Sequence, residues 1–316
     1  MQPREPLRLG LIGWGTVGSA LGGLIQRGHL PLRLTSVAVR DPGRARAIPL
    51  PAGVALVTPE QASDDADAVV ELAGGVDGPR DWATATLERG VPYVTANKAL
   101  LATHGGELAQ VAHANGAALL ASASVGGGTP MIETVEHLAH TREITRLRGI
   151  VNATTTFILS AMAQGRTYEA ALKDAQEAGY AEADPSFDVD GRDAAQKLAI
   201  LASVAWGTWC PESDVVTTGI SGVEVAPGGA TRLVADATPE RRSVAPTELD
   251  PNDPLARVSG VESILEIQTK DAGTFRVSGP GAGGRATAGA VYADLARLVA
   301  GERPILFDTR RGLTPR

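Results

Sequence analysis

An α/β fold, a doubly wound parallel sheet with a second α+β domain, is predicted by three features of this chain. An apolar strand runs into a glycine-rich turn near the N-terminus. Short apolar runs then alternate with helical patterns to about residue 130. Beyond about residue 145 come Ala-rich helices, followed by weakly alternating segments broken by Pro and Gly. The first two features suit parallel strands joined by crossover helices, and the third suits an antiparallel sheet.

The first strand, Leu7 to Ile12, enters Gly13, Gly15 and Gly18 ahead of a helix from Val17 to Ile25. This is GxGxxG in a Rossmann-type setting. The first Gly makes the turn, the second admits a pyrophosphate, and the third lets helix and strand pack closely. Thr16 and Val17 lie at the helix start, where N–H groups and the helix dipole favour phosphate. Gly13, Gly15, Thr16, Val17 and Gly18 are therefore cofactor-binding candidates.

The second strand, Leu34 to Val39, ends at Arg40, 22 residues after Gly18. An NAD-specific fold places an acid here for the ribose 2′-hydroxyl. A guanidinium instead holds a 2′-phosphate with two hydrogen bonds. Arg40, backed by Arg44 and Arg46, points to NADP ahead of NAD, with the adjacent Asp41 pulling the other way.

Three more strands follow. Val69 to Leu72 ends at Gly74-Gly75, and Val91 to Thr95 leads to Ala96-Asn97-Lys98. Ala117 to Ala121 leads to Gly126-Gly127-Gly128 and a helix from Pro130 to Ala139. Loops at the carboxyl ends of such strands are where ligands bind. A strand from Ile144 to Val151 and helices over Ile158–Ala178 and Ala194–Ala205 come next, and residues 222–280 read as antiparallel strands. Gly279–Gly284 is a second glycine loop, and Ala286–Leu298 is a closing amphipathic helix. The expected domains are 1–140 for nucleotide, 141–284 for substrate and dimerisation, and 285–316 returning to the first.

The segment from Gly179 to Lys197, GYAEADPSFDVDGRDAAQK, gathers Glu182, Asp184, Asp188, Asp190 and Asp193 around Lys197. Asp190 reads as the N-cap of the following helix, and Asp193 and Lys197, four apart, share one face. Such a cluster can grip an ammonium group and place a proton-transfer group beside it. The plainer alternative is capping plus solvated charge. A calcium loop is disfavoured, because Ser186 and Lys197 stand where acids are needed.

Composition narrows the classes. The chain has 316 residues, 43% hydrophobic, and a net charge of −7, which offers no footprint for nucleic acid or anionic lipid. No apolar run approaches a membrane span of about 20 residues, and no signal peptide precedes the first strand. A single cysteine, Cys210, excludes intrachain disulfides and fits a cytoplasmic location. His137 and His140 share a helix face with Glu133 and Glu136, but no third ligand group for zinc is evident.

In order along the chain stand GxGxVG, ELAGG, TANKALLA, ASVGGGTPMIET, GYAEADPSFDVDGRDAAQKLAILA and GPGAGGRATAGAVYADL. Together these resemble homoserine dehydrogenase over nearly the whole chain, in the short form without a C-terminal regulatory domain. The resemblance implies a Rossmann nucleotide domain interrupted by a substrate and dimerisation domain, and a homodimer. It implies reversible NAD(P)-dependent reduction of L-aspartate 4-semialdehyde to L-homoserine, in the biosynthesis of threonine, methionine and isoleucine. By position it makes Lys98 and Lys197 the proton-transfer and polarising groups, with Asp193 orienting Lys197. Glu182, Asp188 and Thr154 become substrate-binding residues, and Gly74, Gly75, Gly281 and Ala282 line the nicotinamide, with Lys98 beside it. The alkoxide left by hydride transfer needs a proton and a nearby positive charge, and a lysine can supply both.

Some positions depart from the family pattern. Ala153 replaces a usual Gly and Thr156 a frequent Asn, and Glu262 replaces a common Asn with no consequence we can derive. Ser122 stands where the family often has a Glu that helps hold a structural monovalent cation. That leaves only loop carbonyls near Val125 and Gly127 as ligands, so weak dependence on sodium or potassium is expected. Two other functions compete. An acylating semialdehyde dehydrogenase needs a reactive cysteine, and Cys210 in GTWCPES is not in such a setting. A dinucleotide-binding regulator without turnover would not need Lys98, Asp193 and Lys197 together.

Overall fold

The computed structural model describes residues 5–41, 48–260 and 262–307. Arg44 and Arg46, invoked beside Arg40, lie outside them. The chain forms two compact units. One comprises 1–128 and 283–308 and the other mainly 129–282.

In the first unit, β1 (Leu7–Ile12) leads into α1 (Thr16–Arg27), then β2 (Leu32–Ala38), β3 (Ala55–Val57) and β4 (Ala68–Glu71). After α2 (Asp77–Glu88) come β5 (Tyr93–Thr95), α3 (Lys98–Ala114) and β6 (Leu119–Leu120). All six strands are parallel, in the order β3-β2-β1-β4-β5-β6. Strand order reverses between β1 and β4, so a crevice opens at their carboxyl ends. β4 is buried throughout, as expected of a central parallel strand covered on both faces. Gly10 of β1 passes so close to Ala62 that a Cβ would lie 1.9 Å from its carbonyl oxygen.

In the second unit, α4 (Met131–Thr141) and β7 (Ile144–Ile150) are followed by α5 (Ala153–Ala163), α6 (Tyr168–Glu177), the single turn α7 (Ser186–Val189) and α8 (Arg192–Trp206). β8 (Val216–Thr217), β9 (Thr231–Ala237), β10 (Arg242–Glu248), β11 (Glu262–Thr269) and β12 (Gly273–Pro280) complete it. The sheet runs β12-β11-β7-β9-β10-β8 and is antiparallel except for β8 on β10. α8 packs on β7, β9, β10 and α4, and its small Ala residues let it sit deep, buried from Asp193 to Gln196 and from Leu198 to Ala205. α4 falls in this unit, although the sequence-based boundary at 140/141 put it in the first domain. Its packing on α8 is the reason.

α9 (Gly284–Val299) belongs to the first unit. Its Ala288, Val291, Leu295 and Leu298 share one core cluster with Leu9, Leu11 and Leu21. Tyr292 closes the contact, its hydroxyl accepting from the Leu30 N–H at 3.2 Å. The long helical pattern expected over Ile158–Ala178 is two helices, α5 and α6, parted at Gly165, whose φ of 90° a helix does not tolerate. Among the described residues, no helix is long and apolar enough to cross a membrane.

Candidate active site

The glycine turn of the first unit has backbone geometry that needs glycine at Gly13 and Gly18 and leaves Gly15 bare. Gly13 turns the chain at φ 102°, and a Cβ there would lie 2.8 Å from the Leu72 backbone. Gly18 packs so tightly that a Cβ would lie 2.1 Å from the Gly13 carbonyl oxygen. At Gly15 a Cβ would meet nothing within 4 Å, so bare backbone faces open space. That space is a cleft of about 1020 Å³ lined by Gly13, Trp14, Gly15, Thr16, Arg40 and Arg285 among others. Val17 turns away from it and packs on the core.

Arg40 is exposed at the end of β2 and lines this cleft and an adjoining hollow of about 510 Å³, which also touches Thr58, Gly74 and Trp82. The residues fit a dinucleotide: backbone stays bare where a pyrophosphate would approach, and α1 and a guanidinium flank it. Trp14 and Arg285 were not read from the sequence. The Trp14 indole N–H donates to the Ile48 carbonyl at 2.8 Å.

Beyond β4, Gly74 and Gly75 take φ of 73° and 90° and likewise face open space. Glu71, fully buried, holds this loop. Its Oε1 accepts the Ala73 and Gly74 N–H groups at 2.7 and 2.9 Å, and its Oε2 accepts the Thr95 hydroxyl at 2.7 Å. Thr95 accepts the Asn97 N–H at 2.9 Å. Asn97 donates to the Gly75 carbonyl at 2.7 Å and caps α3 through the Leu100 N–H at 3.1 Å. Lys98, half-buried, begins that helix.

Ser122 is buried, and both its N–H and its hydroxyl donate to Asp294 of α9, at 3.0 and 2.6 Å. Asp294 was not foreseen. Val125 is fully buried and Gly127 half-buried. Among the described residues, no three His, Cys, Asp or Glu side chains gather as a metal site.

In the second unit, the end of β7 and the starts of α5 and α8 meet. Lys197 donates to Asp193 Oδ2 at 2.8 Å and to the Val151 carbonyl at 2.7 Å. Asn152, which the sequence reading passed over, links the cluster. Its Oδ1 caps α5 through the Thr155 N–H at 2.8 Å, and its Nδ2 donates to Asp188 Oδ1 at 2.6 Å and Asp193 Oδ2 at 2.8 Å. The Thr154 hydroxyl lies 2.7 Å from the Tyr180 carbonyl and 3.0 Å from Asp188 Oδ2, two oxygens that share its one proton. Thus Thr154, Asp188, Asp193 and Lys197 come together.

Glu182 stays outside this hydrogen-bonded cluster. It is exposed, and its backbone carbonyl, rather than its carboxylate, accepts from Gln176 at 3.1 Å. Asp184 is exposed too, and its Oδ1 caps the Ser186 N–H at 3.0 Å. Asp190 is not the N-cap of α8. It closes α7, and Gly191 occupies the cap at φ 83°, where the backbone must turn left-handed and a Cβ would lie 2.9 Å from Thr217. Gly281 follows β12, whose end Thr129 holds by donating to the Pro280 carbonyl at 3.2 Å. Burial pushes the Cys210 thiol up and leaves it 3% exposed, which argues against a thiolate nucleophile.

Bare glycine backbone at the switch point of an open parallel sheet marks a dinucleotide-binding protein, and the lysine–carboxylate cluster suits an oxidoreductase. Comparison with known proteins makes this specific. Residues 13–122 match the family model described as the homoserine dehydrogenase NAD binding domain, and residues 130–296 match that described as homoserine dehydrogenase. The homoserine dehydrogenase of Mycobacterium tuberculosis H37Rv is 38% identical over 316 aligned residues, spanning 92% of this chain and 72% of its own. The crystal structure of a homoserine dehydrogenase from Thiobacillus denitrificans superimposes with a TM-score of 0.87 at 34% identity, covering 93% of this chain and 73% of that one. A hyperthermophilic archaeal homoserine dehydrogenase in complex with NADPH gives 0.83 at 28% identity, covering 95% and 99%. The chain belongs to the homoserine dehydrogenase family.

Burial raises the Asp188 carboxyl from its ordinary range. The Asp193 charge adds to this, while hydrogen bonds from Asn152 and Thr154 and the charge of Lys197 oppose it. A raised carboxyl supports the folded state below its ordinary pKa, and that support is lost as pH rises through the native value. Asp188→Asn keeps the hydrogen bonds satisfiable, since Thr154 can accept while donating to Tyr180. This variant is expected to melt no lower than wild type at about pH 8, with its advantage shrinking toward about pH 4. Its KM for the amino-acid substrate should rise about tenfold or more, as for a lost charged hydrogen bond. Parallel melting and steady-state series check both, and an advantage that grows toward acid pH would reverse the assignment.

Proposed function

We propose that this chain catalyses the reversible NAD(P)-dependent reduction of L-aspartate 4-semialdehyde to L-homoserine. The observation that carries the reading is Lys197. An ammonium has three donors, and two are committed to Asp193 and the Val151 carbonyl. The third remains for a substrate oxygen. A bound nicotinamide dinucleotide supplies or accepts the hydride. Lys197 gives a proton to the carbonyl oxygen in reduction and takes one from the hydroxyl in oxidation. Asp193 and Asn152 hold the amine in place, Asp188, Thr154 and the exposed Glu182 bind the substrate's ammonium end, and Lys98 serves on the cofactor side.

Asp41 notwithstanding, Arg40 supports NADP as the preferred cofactor, with Gly13, Gly15, Thr16 and Gly18 shaping the pyrophosphate seat and Gly74, Gly75 and Gly281 the nicotinamide end. Val17 supports that seat from the core side. A bound monovalent cation finds little support in these residues. The Ser122 hydroxyl spends its proton on Asp294, and Val125 and Gly127 offer carbonyls alone. A cytoplasmic homodimer is proposed from the family resemblance, and sedimentation equilibrium at the mass of a single chain would rule the dimer out.

Absorbance at 340 nm with homoserine and NADP tests the reaction, and no turnover in either direction would overturn it. Lys197→Ala is expected to lower kcat about a hundredfold or more, as for a lost proton-transfer group. Lys197→Arg should fail similarly, because a guanidinium keeps its charge but does not release its proton. Near-wild-type kcat in either variant would remove Lys197 from the role.

Arg40→Ala should weaken NADP far more than NAD, since the 2′-phosphate is the only difference between them. Equal losses for both, measured as kcat/KM, would make Arg40 a structural residue.

A further inference from the structure

We propose that Glu71 is a positioning residue for the nicotinamide half of the cofactor, a role that rests on the dehydrogenase reading above. A fully buried carboxylate is costly unless its lone pairs are filled. Here three donors meet it at the open end of the sheet: the Ala73 and Gly74 N–H groups of the loop after β4 and the hydroxyl of Thr95, the last residue of β5. The contacts continue from Thr95 to Asn97 and from Asn97 back to Gly75, so the ring closes on the loop where it began.

The sheet does not need this carboxylate. β4 and β5 already pair through their backbones, with Glu71 opposite Thr95. The preceding residues Ala68, Val69 and Val70 show what a buried parallel strand otherwise carries. What the ring does fix is the backbone of Gly74 and Gly75, bare toward open space, and the capped first turn that bears Lys98. In an open sheet of this order the two halves of a dinucleotide lie on opposite sides of the switch point. The half carrying the 2′-position belongs with β2 and Arg40, so the nicotinamide half belongs with β4 and β5. Glu71 therefore acts through Gly74, Gly75 and Lys98, and leaves the adenosine side to Arg40 and the β1 turn.

This predicts a split between whole cofactor and fragment. Glu71→Leu replaces the carboxylate with a side chain suited to a buried strand and removes all three bonds. By calorimetry its affinity for NADPH should fall about tenfold to a hundredfold, the scale of a misplaced site, with its affinity for ADP within about twofold of wild type. Glu71→Gln, which can still accept from Ala73 and Gly74, should recover most of the loss. If Glu71→Leu does not fold, Thr95→Val, which removes the two ring bonds made by the Thr95 hydroxyl, should show the same split with smaller amplitude. NADPH affinity unchanged in the variants, or NADPH and ADP affinities falling together, would overturn the role while leaving the dehydrogenase reading intact. Failure of the wild-type chain to bind either nucleotide would overturn the reading itself.

Discussion

The second unit is organised around one constraint, a lysine amine held away from water and needing acceptors. The Lys197 side chain is 13% exposed and that of Asp193 7%, so neither charge is well solvated. A buried pair of this kind adds little net stability, because the cost of desolvating two charges offsets their attraction. It holds only if the remaining donors and acceptors are also matched. That requirement ties the end of β7, through Val151, to the starts of α5 and α8. Asn152 is the joint, capping one helix with its oxygen and bridging two carboxylates with its nitrogen. Asp193, in the first turn of α8, gains from the helix dipole as well.

The same logic recurs in the first unit with a different purpose. Its central strands β4 and β5 are buried throughout, and each places a polar side chain where it runs out into a loop. Glu71 and Thr95 end β4 and β5, and their hydrogen bonds go to loop backbone and to each other. α9 packs its apolar stripe against α1 and the sheet, and carries Asp294 to the buried Ser122. Ser122 is satisfied wholly across 172 positions, and Glu71 adds Thr95, 24 positions on, to the neighbouring Ala73 and Gly74 N–H groups.

Much of the architecture is legible in the sequence because it rests on local patterns. The apolar run from Leu7 to Ile12, the GxGxxG spacing and the Asp193–Lys197 interval specify a strand, a turn with bare backbone and a shared helix face. Each depends on residues within a few positions of one another. Glu182 and Asp190 show the limit of that reasoning. Both sit in the acidic stretch that marks the site, yet one points to solvent and the other ends a helical turn. Charge density in a sequence does not say which side chains the backbone turns inward, and here Gly191, at positive φ, sets that direction.

The sequence by itself determined the fold class, the nucleotide motif and the family, since periodicity, glycine spacing and motif order are properties of the chain alone. Only the tertiary structure decided the roles of Asn152, Glu71 and Asp294. Asn152 bonds to residues 36 and 41 positions away, Glu71 reaches Thr95 across 24, and Ser122 meets Asp294 across 172. A buried polar side chain takes its meaning from the donors and acceptors that folding brings to it, and over such separations those partners are chosen by packing and not by neighbouring sequence.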